Sequence, residues 1–283
     1  MKLRDNCWLW GHPEGRYNHE YGNELESRMT PMEACQYLGI RNTFMIPVGW
    51  DVNRRQYNKS FTTLNGVAWE CYNAGRDPSV VEPLIQEAAD FPNIKAVVFD
   101  DFQRGGAKQY SQIPVENLRN VHERLHNNEV RPLDMWMVLY THEFALDPND
   151  PASAPYDEEL FKDYVKPFDG IIMWTWAEKD VPLIPAKYEA FKELTKGQRR
   201  LFGCYLWNFG QKKQATPEAV KRQLDFYREK IMAGEAEGIV LHTNTMADLD
   251  YPAYDTAIEW MNEHGDEELP EPVVAIINSH KGA

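Results

Sequence analysis

The stretch Lys95-Ala96-Val97-Val98-Phe99-Asp100-Asp101-Phe102 decides how this chain is read, because four apolar residues suited to burial run straight into two carboxylates. A strand covered on both faces shows a continuous apolar run, and strands of that kind belong to parallel sheets. When parallel strands close into a barrel, the polar residues at their C-terminal ends face the ligand. The pattern recurs along the chain. Short apolar runs occupy 7–10, 42–48, 96–99, 135–141, 170–175, 201–208 and 238–243, with a weaker one at 273–278.

Helix signals separate these runs. In Thr30-Pro31-Met32-Glu33 the threonine suits an N-cap, the proline the first helical position and the glutamate a capping box. A second helix opens at Asp77-Pro78, with Pro83 shifting its start later, and a third at Thr216-Pro217 carries Val220, Leu224, Tyr227 and Ile231 at helical spacing. Strand-helix alternation of this kind implies crossover helices and a (β/α)8 TIM barrel, an α/β fold, with seven clear strands and a weak eighth at 273–278. The expected organisation is one domain over 1–283. It has long loops after strands one and two, the second at about 49–76, and a short C-terminal arm at about 265–283. A nucleotide-binding sheet has no support, since no G-x-G-x-x-G follows the first strand and no G-x-x-x-x-G-K-[ST] occurs.

Composition narrows the partners. A formal net charge of −14 disfavours a nucleic-acid backbone or an anionic membrane surface. The four cysteines are scattered without a C-x-x-C pair, which implies reduced thiols rather than a zinc cluster. No apolar run reaches 18 residues and no signal peptide is evident, so a cytoplasmic location is expected. No cofactor is expected, and the residues do not set an oligomeric state.

Collected as one set, the strand ends are rich in aromatic and polar side chains. They comprise Trp10 and His12, Trp50, Asp100 and Asp101, Tyr140, His142 and Glu143, Trp174 and Trp176, Tyr205, Trp207 and Asn208, and His242 and Asn244. Trp10 and His12, Tyr140 and His142, Trp174 and Trp176, Tyr205 and Trp207, and His242 and Asn244 are each two apart, so each pair shares a face of its strand. Aromatic faces stack on sugar rings, and Asp, Asn and His side chains bond hydroxyls, so the expected partner is a carbohydrate.

The order of apolar strand, Asp-Asp and aromatic at 95–102 resembles the strand ends of glycoside-hydrolase-like barrels, without matching a particular family. The resemblance implies general acid/base hydrolysis of a glycoside with catalytic acids at such positions. In some retaining families that use the substrate's own acetamido group, a neighbouring acidic pair does this work.

Glycosidic cleavage needs one acid to protonate the leaving oxygen and one carboxylate to act as nucleophile or base. Adjacent acids on a strand face opposite ways, but where the chain turns both can enter one pocket, and mutual repulsion then keeps one protonated. Asp100 and Asp101 are the first candidates and Glu143 the third, each as catalytic acid or base. The plainer reading makes one Asp a loop cap and pairs the other with Arg54 or Arg104. A second class of function is a metal-dependent sugar isomerase, epimerase or hydrolase using His12, Asp101, His142, Glu143 and His242, and the expectation weighed against it is that the chain carries no H-x-H or H-E-x-x-H spacing. A third is a non-catalytic carbohydrate-binding protein.

Overall fold

The computed structural model describes residues 1–101, 113–144 and 158–279, so Phe102 and Arg104 lie outside the described residues. Eight strands run through it: β1 Trp8–Gly11, β2 Asn42–Met45, β3 Gly66–Glu70, β4 Ile94–Phe99, β5 Asp134–Tyr140, β6 Gly170–Trp174, β7 Arg199–Tyr205 and β8 Gly238–His242. They form a closed barrel in sequence order, with β1 pairing both β2 and β8. Every pair in the barrel is parallel.

A helix follows each strand: α1 Pro31–Tyr37, α2 Arg54–Ser60, α3 Glu82–Asp90, α4 Val115–His126, α5 Glu158–Val165, α6 Ile184–Leu194, α7 Pro217–Met232 and α8 Pro252–His264. The start of α1 is the expected capping box, with Thr30 Oγ1 accepting from Glu33 N at 3.2 Å and Glu33 Oε2 accepting from Thr30 N at 2.8 Å. Asp77 caps a short 3-10 turn at Pro78–Val81, and α3 begins only at Glu82, with Pro83 in its first turn. The apolar stripe of α7, including Val220, Leu224, Tyr227 and Ile231, is buried against the barrel.

Two strand expectations need correction. The eighth strand is not 273–278, which lies within a helix, α9 Glu271–Ser279, with Val273 and Ile277 buried one turn apart. A short continuous apolar run is ambiguous between buried strand and buried helix, and here helical packing prevails. The missing strand is β3, inside the segment read as a loop at about 49–76; that segment also holds α2. β3 begins at Gly66, where a Cβ would stand 2.8 Å from Trp8 Cη2, so close packing against an indole accounts for the glycine that disguises the strand. The Asp100-Asp101 pair therefore follows the fourth strand, not the third. The run read as 201–208 is also two pieces, since Trp207–Asn208 leaves the barrel and pairs antiparallel with Lys213–Gln214.

The interior is filled largely by aromatic rings. Trp10 lies 5.6 Å from Phe44 and 5.4 Å from Trp174 between ring centroids, and Trp8 lies 4.6 Å from Phe44. Glycines make the room: a Cβ on Gly203 would meet Trp174 Cδ2 at 2.0 Å, and one on Gly170 would meet Trp136 Cζ3 at 2.3 Å. At the N-terminal mouth, Arg199 pairs with Glu237 at 2.8 Å and with Asp134, and its guanidinium lies 4.9 Å from the Trp136 ring centroid. No described helix is long and apolar enough to cross a membrane.

Candidate active site

At the C-terminal mouth the chain leaves β4 through Asp100 into Asp101, whose φ of 47° places it in the left-handed region. Aspartate tolerates that conformation better than most residues, and the turn ends the strand's strict alternation. Both carboxylates consequently act on the same phenols. Burial first, then the negative charges of Asp100 and Asp101 among other neighbours, hold Tyr140 and Tyr205 well above the usual tyrosine range. Tyr140 Oη donates to Asp101 Oδ1 at 3.1 Å, and Tyr205 Oη donates to Tyr140 Oη at 3.4 Å.

Glu143 sits in the single helical turn Thr141–Phe144 that directly follows β5, and its Oε2 accepts from Tyr140 N at 2.8 Å. Burial is the main influence on its carboxyl and outweighs that backbone hydrogen bond. With the charge of Asp101 acting in the same direction, Glu143 is pushed up to about 8. Glu143 thus holds its proton near neutral pH beside Asp101, as a general acid must. Of the three expected catalytic acids, the structure joins Asp101 and Glu143 through Tyr140, and the charge of Asp100 reaches the same Tyr140. Arg54 bonds Glu87 at 2.9 Å, and Arg104, the other partner of the plainer reading, lies outside the described residues.

The expected binding residues divide into four groups, the last being His12 and His242. Trp10 and Trp174 are buried barrel packing. Trp207, Asn208 and Asn244 are struts. The Trp207 indole donates to Tyr21 O at 3.0 Å, Asn208 Oδ1 accepts from Gln211 N at 3.1 Å, and Asn244 exchanges hydrogen bonds with the His12 backbone at 2.8 and 3.0 Å. The third group lines the mouth. Trp176 meets Tyr140 and Tyr205 edge-on at 6.0 and 5.6 Å, the exposed His142 stacks on Tyr140 at 5.3 Å, and Trp50 is 47% exposed on its loop.

His12 and His242 are buried beneath the mouth, Nε2 to Nε2 at 3.4 Å, and His12 Nδ1 donates to Ile46 O at 2.8 Å. Burial pushes His12 down to about 3 and His242 well below its usual range, so both rings are neutral. Among the described residues, His12, Asp101, His142, Glu143 and His242 do not bring three ligand atoms within 4.8 Å of one another. The metal-dependent arrangement is not assembled there.

Sequence reasoning missed Tyr17, Tyr21 and Phe209. Tyr17 meets His12 edge-on at 5.0 Å and Phe209 at 5.0 Å, while Tyr21 meets Trp176 at 6.3 Å and Phe209 at 5.3 Å. The length and aromatic content of the first loop signal its part in the site. Its fold-back over the mouth depends on Tyr17 and Tyr21 at positive φ, which no periodicity reveals. The expectation that the chain carries no H-E-x-x-H spacing is wrong, because His122-Glu123-Arg124-Leu125-His126 on α4 has that order.

No protein-family model matches the chain, and no curated protein matches its sequence. Solved structures do match its shape. The glycoside hydrolase domain of PgaB (BpsB) from Bordetella bronchiseptica aligns over 93% of this chain and 99% of its own at 10% identity and a TM-score of 0.55. GH5_18 from Streptomyces cattleya, in complex with GlcNAc, aligns over 95% and 83% at 10% identity and a TM-score of 0.57. The active domain 2 of a chitinase from Pyrococcus furiosus, complexed with chito-oligosaccharides, aligns over 97% and 94% at 9% identity and a TM-score of 0.54. Likeness at this identity shows the fold, an eight-stranded barrel shared with glycoside hydrolases. The chemistry has to be argued from the residues.

Proposed function

We propose that the chain is a glycoside hydrolase working as one barrel domain, with Glu143 as the general acid and Asp101 as its carboxylate partner. The observation that carries this reading is the half-buried Glu143 carboxyl at the aromatic mouth of the barrel, held by Tyr140 N and pushed up to about 8 with Asp101 contributing. Glu143 would give its proton to the glycosidic oxygen as the bond to the anomeric carbon breaks. Asp101 would attack that carbon or take a proton from water as the water attacks. Asp100 would add negative charge facing the developing oxocarbenium ion. The exposed edge of the mouth supplies Trp176, Tyr140, His142 and Trp50 for stacking and hydrogen bonding to a sugar.

Two neighbours hold GlcNAc or chito-oligosaccharides, so aryl glycosides of N-acetylhexosamines are the first substrates to try. Asp101→Asn and Glu143→Gln are expected to lower turnover by about 10²–10⁴-fold, with far-ultraviolet circular dichroism unchanged. Turnover that survives both substitutions would refute the assignment. Sugar binding without turnover of any glycoside would favour a non-catalytic binding protein instead.

A further inference from the structure

The second cluster of convergent side chains lies at the opposite end of the barrel. His122 and His126 occupy successive turns at the C-terminal end of α4, and Asp169 immediately precedes β6, so all three sit on the N-terminal face. His122 Nε2 is 3.2 Å from Asp169 Oδ1 and His126 Nε2 is 3.0 Å from Asp169 Oδ2, while the imidazole centroids stack at 4.0 Å. One donor atom from each of the three residues lies within 4.8 Å of the others. Tetrahedral zinc with bonds of about 2.0–2.2 Å separates neighbouring donors by roughly 3.3 Å, and the two nitrogen-oxygen spacings, each to a different carboxylate oxygen, lie close to that value.

We propose that His122, His126 and Asp169 bind a Zn²⁺-like divalent cation that ties α4 to the floor of the barrel. Two imidazoles at i and i+4 on a helix with one carboxylate form a donor set of the kind zinc takes, and it leaves a fourth position for water. The carboxylate is already held in place. Asp169 Oδ2 accepts from Met135 N at 2.7 Å, Asp169 N donates to Met135 O at 2.9 Å, and Asp169 O accepts from Arg199 N at 2.9 Å. Such outer hydrogen bonds fix a ligand's orientation. The two imidazole side chains are 35% and 29% exposed and the Asp169 side chain 9%, so the histidines offer an approach from solvent to an anchored acid.

The site is inferred to bind, not to hydrolyse. In H-E-x-x-H metalloproteases the glutamate acts as base at the metal. Here Glu123 is exposed and lines a different groove with Asp77, Ser79, Asn120 and Asn127. At 3.6 residues per turn, that groove is roughly a third of a turn round the helix from the two histidines.

The test is calorimetric titration of the full, chelator-stripped chain with ZnCl₂, alongside CoCl₂ to read the visible absorption of tetrahedral cobalt. One saturable equivalent per chain is expected, together with a tetrahedral cobalt spectrum. His122→Gln and His126→Gln should each weaken binding at least tenfold, and Glu123→Gln should leave it unchanged. The proposal is overturned if binding is not saturable or if the histidine double variant binds as tightly as the parent. Imidazole ¹⁵N NMR of the unaltered chain covers the event that the variants misfold. The His122 and His126 signals should shift together at one equivalent of Zn²⁺, and unshifted signals would overturn the proposal.

Discussion

The two ends of the barrel handle buried charge in opposite ways. At the N-terminal end the largely buried ions have close partners: Arg199 meets Glu237 and Asp134, and Asp169 receives two imidazoles and a backbone N–H. At the C-terminal end Glu143 accepts the Tyr140 backbone N–H with another carboxyl group near enough to raise its proton affinity. Paired ions hold one arrangement, and perturbed ones are ready to exchange protons. The contrast separates a floor that supports the fold from a mouth arranged for chemistry.

The largest effect is expected at the floor. Arg199→Met leaves Glu237 and Asp134 buried without their cation, and removing one member of a buried ion pair costs roughly 3–5 kcal/mol. Urea unfolding of that variant should show a loss in this range, and a loss below about 1 kcal/mol would mean that the floor does not depend on the pairing.

A smaller effect of opposite sign is expected at the mouth. A folded-state value raised to about 8 means that the folded chain holds the Glu143 proton more tightly than the unfolded chain, whose carboxyl titrates near 4.5. Ionising it therefore costs the native state progressively as pH rises from about 4.5 to 8. Glu143→Gln removes that cost and can still accept from Tyr140 N. Its stability relative to the parent should grow as pH rises across this window, within the limit of about 1.4 kcal/mol per pH unit, and level off above it. Chemical denaturation at pH 5 and pH 8 checks this, and equal differences at both would contradict it. Smallest of all is Trp50→Ala. Trp50 is exposed, so stability should stay within about 0.5 kcal/mol by the same urea measurement, while affinity for a sugar falls.

The same two ends mark what the sequence could reveal. Seven of the eight strands and the capping of α1 and α7 follow from apolar runs and N-cap chemistry, which are local signals. β3 escapes because Gly66 gives way to Trp8, a contact between residues 58 positions apart that no local pattern records. At the mouth, two-residue spacing puts side chains on a common face but does not say how deep they lie. Trp10 and Trp174 share that spacing with Trp176, yet the first two are packed in the barrel and the third reaches its rim. The pairing of Asp101 with Glu143 depends on a left-handed turn after β4 and a single helical turn after β5, both beyond the reach of periodicity. The His122, His126 and Asp169 cluster is half legible: the helix spacing is in the sequence, whereas Asp169 arrives from a distant strand.

The most direct test of the mouth is a pH titration of the chain followed by ¹³C NMR of glutamate side-chain carboxyls, with Glu143→Gln to assign the signal. One carboxyl should titrate near pH 8 and vanish in the variant. If every glutamate carboxyl titrates in the ordinary range near pH 4 to 5, Glu143 is no general acid at neutral pH and the account of the mouth fails.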